Sequence, residues 1–268
     1  MKIKFIYITF NIVLIVALLL LFFTPKLTLS DDLYTEIAMT NNIFIIALLV
    51  ITIAINCIFI INRKPLKYLE EENWKGLAAY LHNKIYTQKR ISARSVQLLC
   101  DSLLLTGRTE EIIELCTFVK AENHKAYQKN LLRFASSYVL LTKPVEARSV
   151  LEEADPSIAK TDWVKWYHAF TFYLEKEFSA TITELGQSIS AFKDPVVSAL
   201  SVYLLQQLAP INAAEYQKYE QFVADKKNKL LIDFSRKKFH EYSEDQKSQL
   251  YCVIISSLIK QAEDVIYN

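Results

Sequence analysis

Two runs free of charged residues open the chain, 5–23 and 43–61. Each is 19 residues long, about 28 Å as an α-helix, close to the thickness of a bilayer's hydrocarbon core. From Pro65 onward the pattern changes. Apolar residues recur at steps of three and four, which lines them along one face of successive helices. The pattern therefore divides the chain into an apolar segment, 1–62, with spans at about 5–23 and 43–61, and an amphipathic helical segment, 63–268. The first run has a second reading, a cleaved export signal headed by Lys2 and Lys4. It is longer than a usual signal core, however, and no small-x-small cleavage site follows it, which favours a retained span.

The amphipathic segment repeats itself. Val96, Leu99, Cys100 and Leu103, followed by Ile112, Cys116 and Val119, have the same spacing as Leu131, Phe134, Ala135 and Tyr138, followed by Ala147, Leu151 and Ala154. The offset is 35 residues. A weaker third set, Ala169 and Phe172, then Thr181, Leu185 and Ser188, lies 34 residues further on. Each half-set occupies one helical face, and the gap between halves spans a turn, with Gly107 placed in the first one. Residues 73–81 read as the second helix of an earlier pair whose first helix is 66–72, with Pro65 kinking or starting it. Asp194-Pro195 reads as an N-cap followed by proline at the first helical position. Pro210 separates a further pair, and Ser243 with Gln246 forms a capping box for a long final helix.

These positions resemble the tetratricopeptide repeat: a large residue, Leu-Gly and Tyr, then Ala, an aromatic and Ala across two antiparallel helices. Cys100 and Ala135 stand where that signature has glycine. The resemblance implies an all-α fold, in which an N-terminal transmembrane helical hairpin precedes a tetratricopeptide-like α-solenoid of about four to six helical pairs. Two spans followed by such repeats are also similar, in architecture only, to HemY-type membrane proteins.

Composition supports the helical reading. Three glycines, all isolated, cannot build a phosphate loop or dinucleotide fingerprint, and with six prolines they supply few turns for a sheet protein. Lys2 and Lys4 precede the first run, and Arg63, Lys64 and Lys67 follow the second. The intervening loop, 24–42, carries Lys26 against Asp31, Asp32 and Glu36. Positive charge stays inside, so both termini are expected in the cytoplasm of a bacterial cell, with the protein integral to its cytoplasmic membrane. Cys57, Cys100, Cys116 and Cys252 share no metal or redox spacing and read as small apolar residues. The four histidines, 82, 124, 168 and 240, are far apart, and no nucleophile lies beside a base. No metal, cofactor or enzymatic activity is expected. A net charge of +2 gives no reason to invoke nucleic acid.

Three readings of function compete. The first is a membrane-anchored scaffold whose helical groove recruits a protein or peptide to a membrane complex. The second is an accessory subunit of a larger membrane machine for transport, secretion or envelope assembly. The third is a membrane-bound enzyme. For the first, the resemblance implies a groove lined by first helices: Arg94, Gln97 and Asp101, then Lys129, Arg133 and Ser136, then Trp163, Trp166, Tyr167, Phe170 and Tyr173. Lys129 and Arg133 match two basic positions of the carboxylate clamp found in chaperone-binding members, while Leu98 stands where that clamp has asparagine. The expected ligand is an acidic or C-terminal peptide with a large apolar anchor. The aromatic stripe reads equally as core between helical layers. In the hairpin, Asn11 and Asn56 fall at similar depth, where their amides either pair or find interfacial water. The basic residues of 226–229 and 236–238 read either as a solvated helix face or as a lipid contact.

Overall fold

The computed structural model describes residues 3–28 and 31–268, with side chains described at 5, 7–24, 27 and 42–268. Helices account for all regular structure among these residues. The chain divides into two compact units, Met1–Tyr80 and Leu81–Asn268. The boundary expected at 62/63 thus lies further along the chain. The reason is local: helix α2 runs unbroken through that point.

The first unit is a helical hairpin. Helix α1 (Ile3–Thr28) packs on α2 (Asp31–Glu70). Residues 24–28 and 31–42, expected within a loop, are helical; 31–42 contain no proline or glycine to stop a helix. Pro65 does not begin a new helix, because α2 continues past it to Glu70. Helix α3 (Trp74–His82) follows. The stretches Tyr7–Thr24 and Asn42–Glu70 are long and apolar enough to cross a membrane. Many of their apolar side chains point outward: Ile12, Val13, Leu20, Ile43, Phe44 and Ile60 are all exposed. The side chains of Lys2, Lys4, Lys26, Asp31, Asp32 and Glu36, on which the orientation argument leans, lie outside the described residues.

The second unit is built from helix pairs joined by three-residue turns. Helix α4 (Ala93–Leu105) pairs with α5 (Thr109–Glu122), and α6 (His124–Leu140) with α7 (Pro144–Glu152). After a short helix, α8 (Pro156–Ala159), α9 (Asp162–Leu174) pairs with α10 (Phe178–Ser188). Each helix packs on its chain neighbour, and α6 also packs on α4, as α9 does on α6. The buried faces hold the spaced residues: Val96, Leu99, Cys100, Leu103, Ile112, Cys116, Val119, Leu131, Phe134, Ala135, Ala147, Leu151, Ala169 and Leu185.

One turn recurs. Glu72, Gly107, Thr142 and Lys176 have φ of +51°, +71°, +57° and +64°, at successive spacings of 35, 35 and 34 residues. Each lies just past the end of its helix, and the same two hydrogen bonds form around each. Arg108 N donates to Leu103 O (2.8 Å), Lys143 N to Tyr138 O (2.9 Å), Glu177 N to Phe172 O (2.9 Å) and Asn73 N to Tyr68 O (2.9 Å). The left-handed residue donates in turn to the carbonyl three back, as in Gly107 N to Leu104 O (2.9 Å) and Thr142 N to Val139 O (3.0 Å). This is the Schellman ending, which satisfies orphan carbonyls and turns the chain back on itself. Glycine reaches that conformation without strain, yet it fills only the second of the four places.

The C-terminal part departs from the pairing. Helix α11 (Pro195–Leu208) starts at an Asp194 cap, whose Oδ1 accepts from Val196 N and Val197 N at 2.9 and 3.1 Å. Nearly all of α11 is buried, covered by α9, α10, α13 (Glu220–Asp233) and α16 (Ser256–Tyr267). Helix α12 (Ala213–Gln217) leads to Tyr219, whose ring lies where a Cβ on Gly186 would stand, 2.4 Å from its Cγ. Glycine is therefore required there for close approach. The capping box expected at Ser243 and Gln246 does not form. Ser243 lies inside α14 (Arg236–Gln246) and donates to His240 O at 2.9 Å, and two shorter helices, α15 (Leu250–Ile254) and α16, replace one long final helix.

The turns provide a test. A β-branched residue with positive φ is strained, so Thr142→Gly is expected to raise stability by about 1 kcal/mol. That corresponds to roughly 2–4 °C in Tm for a domain of this size. Gly107→Val is expected to lower Tm by at least as much. Thermal melts of the full chain in detergent decide; a fall for Thr142→Gly would contradict the role of the turn.

Candidate functional site

Helices α4, α6 and α9 stand side by side, and residues three and four apart share a face. Arg94, Gln97 and Asp101 follow one another along α4, and Lys129, Arg133 and Ser136 along α6. The fold divides this face into a closed end and an open one.

At the closed end, helix α15 returns and packs on α6. Arg133 Nη2 donates to Gln249 Oε1 at 2.8 Å, and its Nε lies 3.7 Å from an Asp101 carboxylate oxygen. Arg133 is 7% exposed and its Nε has no hydrogen-bond partner among the described residues. Burial pushes the Asp101 carboxyl above its ordinary range, with Arg133 pulling it back. Ser136, fully buried, donates to Arg133 O at 3.0 Å. Tyr167 OH donates to the Tyr251 carbonyl, and the Tyr251 ring sits 5.0 Å from that of Trp163. Trp163 Nε1 and Tyr242 OH both donate to Asp194 Oδ2, at 3.1 and 3.3 Å. Asp162 Oδ2 accepts from Lys193 N and Asp194 N, at 2.6 and 2.7 Å, tying the start of α9 to that of α11. Burial raises the Tyr251 hydroxyl to about 12, and the Cys252 thiol likewise to about 12.

This geometry corrects the aromatic wall. Trp163, Trp166, Tyr167 and Phe170 are buried, Trp166 and Tyr167 completely, and Tyr173 is half-buried. They stack on one another, with Trp166 and Phe170 rings 4.7 Å apart, and α7, α10, α11 and α15 close around them. The stripe is core between layers. A peptide cannot reach it, so the stripe does not serve as the socket for a large apolar anchor. Arg133, Ser136 and Asp101 are likewise committed to interactions inside the chain.

At the open end a cleft of ≈ 540 Å³ remains, lined by Ala93, Arg94, Gln97, Leu98, Lys129 and Asn130. Arg94 and Lys129 are exposed and form no ion pair among the described residues. Asn130, buried, forms the floor; its Nδ2 donates to Ala93 O at 3.1 Å and Ala126 O at 2.9 Å, linking α6 to the start of α4. Asn130 was not anticipated from the sequence. Its only signal in the sequence is a strongly polar residue set directly before the apolar pair Leu131-Leu132. Two unpaired cations over an uncharged amide floor form an anion-accepting surface, suited to carboxylates.

A separate polar cluster lies within the hairpin. Asn56 Nδ2 donates to Asn11 Oδ1 at 2.8 Å and to Thr52 O at 2.9 Å, while Asn11 Nδ2 donates to Tyr7 O at 2.9 Å. Tyr7 OH completes the set by donating to Asn56 Oδ1, and its ring stacks on Phe59. Tyr7 was not anticipated either, although it stands one helical turn before Asn11.

The closed end is tested through Tyr251. Tyr251→Ala removes a half-buried ring and is expected to cost about 2–3 kcal/mol. It should also shift tryptophan emission to the red, because Trp163 loses its cover. An unshifted spectrum would mean that α15 does not close this face.

The family described as "Uncharacterised Treponema protein" matches residues 111–268. A protein of Treponema pallidum (strain Nichols), itself described only as uncharacterized, is 30% identical over 215 residues, covering 78% of this chain and 67% of that protein. No solved structure matches.

Proposed function

We propose that this chain, which belongs to that family of Treponema proteins, is a membrane-anchored helical-repeat scaffold that binds an acidic or C-terminal peptide segment in the cleft between α4 and α6. The observation that carries the reading is the open cleft, where Arg94 and Lys129 are exposed and form no ion pair among the described residues, while Asp101, Arg133 and the aromatic stripe of the same face are engaged within the chain. Charge-assisted hydrogen bonds to carboxylates are among the stronger polar contacts. With the aromatic wall buried, the peptide is recognised by charge and backbone rather than by a large apolar side chain.

Anchoring rests on the hairpin. A row of exposed Phe, Ile, Leu and Val on both helices would face water at great cost, whereas lipid covers it. Its polar interior is satisfied through Tyr7, Asn11 and Asn56, as hydrocarbon demands. Arg63, Lys64 and Lys67, all exposed, follow the second span and favour the cytoplasm for the helical unit and both termini. The repeated left-handed turn and the stacking of α4, α6 and α9 support a tetratricopeptide-like solenoid.

Two experiments test this. A photo-crosslinking residue at Gln97, in the full chain expressed in cells, should trap a discrete partner. Arg94→Glu with Lys129→Glu should weaken capture by about 10- to 100-fold, two charge-assisted contacts being lost, with Tm unchanged. Undiminished crosslinking in that variant would sink the cleft. For orientation, Glu114→Cys in a Cys57→Ser background should react with a membrane-impermeant maleimide only after lysis. Labelling of intact cells would reverse the topology.

A further inference from the structure

The basic residues near the C-terminus divide into two sets. Lys226 turns inward, its Nζ donating to Ser190 O (3.3 Å) and Phe192 O (2.8 Å); Lys227 Nζ donates to Val265 O (2.8 Å). Arg236 is held by Asp264 at 2.7 Å and by Asn268 at 3.0 Å. Those three fasten the fold. Lys229, Lys237 and Lys238 do not. All three are exposed, Lys229 and Lys238 form no ion pair among the described residues, and Lys237 only approaches Glu241, at 3.9 Å.

Between Lys229 and the pair Lys237–Lys238 lies an apolar tip. Ile232 is 83% exposed, more than any other large apolar side chain among the described residues, and Leu231 beside it is 44% exposed. The tip has a firm base. Leu230 and Phe239 are buried on the inner side, Tyr267 OH donates to Phe234 O at 3.0 Å, and Phe234 takes an extended conformation that ends α13 just after Asp233. Asp233 is the only carboxylate from 229 to 238, against four cations.

We propose that this corner between α13 and α14 docks on an anionic lipid surface, with Ile232 and Leu231 entering the acyl boundary and Lys229, Lys237 and Lys238 meeting headgroup phosphates. Two exposed apolar side chains at a corner, flanked along the chain by exposed lysines that form no close ion pair among the described residues, match the two layers of a bilayer interface. Each lysine near an anionic surface contributes about fivefold to such an equilibrium. The docking is independent of the peptide cleft, which lies on α4 and α6.

The test uses the full chain reconstituted in lipid nanodiscs. An environment-sensitive nitrobenzoxadiazole label is placed through Asn228→Cys, one turn from Ile232, in a Cys57→Ser background. The three remaining thiols are buried and do not compete for label. In discs containing about 30% phosphatidylglycerol, emission should shift to the blue and be quenched by doxyl-bearing lipids; in pure phosphatidylcholine it should do neither. Lys229→Glu with Lys238→Glu, and separately Ile232→Ser, should each lower the docked-to-undocked ratio by at least about tenfold, with Tm unchanged. A label at Glu114 should remain unquenched. The proposal is overturned by absence of lipid quenching in the anionic discs, by equal quenching in neutral discs, or by a blue shift without lipid quenching, which would identify a protein contact instead.

Discussion

A residue in the left-handed conformation lets a helix end and the chain reverse within three residues, and this chain uses that ending four times at a nearly constant interval. The layout of the helical unit depends on that constraint. It brings the apolar stripe of each helix against the stripe of the next, and the 34–35-residue spacing brings α4, α6 and α9 into line. Glycine fills one of the four places. At the others, Glu72, Thr142 and Lys176 hold the same φ under strain, sustained by the packing on either side. The turn is thus a property of the helix pair more than of the residue that forms it.

The aligned face of α4, α6 and α9 has two fates because the chain returns to it. Arg133 is buried, and among the described residues its side-chain partners are the Asp101 carboxylate, 3.7 Å away, and the Gln249 amide oxygen. The start of α15 covers that guanidinium through Gln249, and its Tyr251 meets the Tyr167 hydroxyl and the Trp163 ring. With α15 in place they become interior, and whatever binding capacity the face retains moves toward the N-terminal ends of α4 and α6. The C-terminal segment therefore chooses which part of a repeat-like surface stays open.

The hairpin obeys a different rule. Two asparagines in an apolar run are costly unless every polar group finds a partner. Tyr7, Asn11, Thr52 and Asn56 meet that demand within the pair of helices, so the cluster fixes their register without calling on another chain. In the helical unit polar side chains do the stitching instead. Asn130 and Asn123 each reach back to a carbonyl at or just before the start of α4, at Ala93 and Ile91.

Sequence alone determined the helical class, the two apolar runs and the face that each paired helix buries. These are local properties: period 3.6, length, and the steps of three and four are written into neighbouring residues. The recurrence at 35 residues was equally legible, and so was the Asp194 cap. Only tertiary structure decided the rest. Trp166 and Tyr167 have the spacing of a groove and the spacing of a core, and periodicity cannot separate the two; both are buried by helices packed from elsewhere in the chain, and the Tyr167 hydroxyl ends on the Tyr251 carbonyl, 84 residues away. Lys226 and Lys229 look alike in the chain, yet Lys226 donates to the carbonyls of Ser190 and Phe192 while Lys229 is exposed and forms no ion pair among the described residues, because those carbonyls approach only one of them. What covers a helical face is set by distant segments, and their return to it depends on the whole fold.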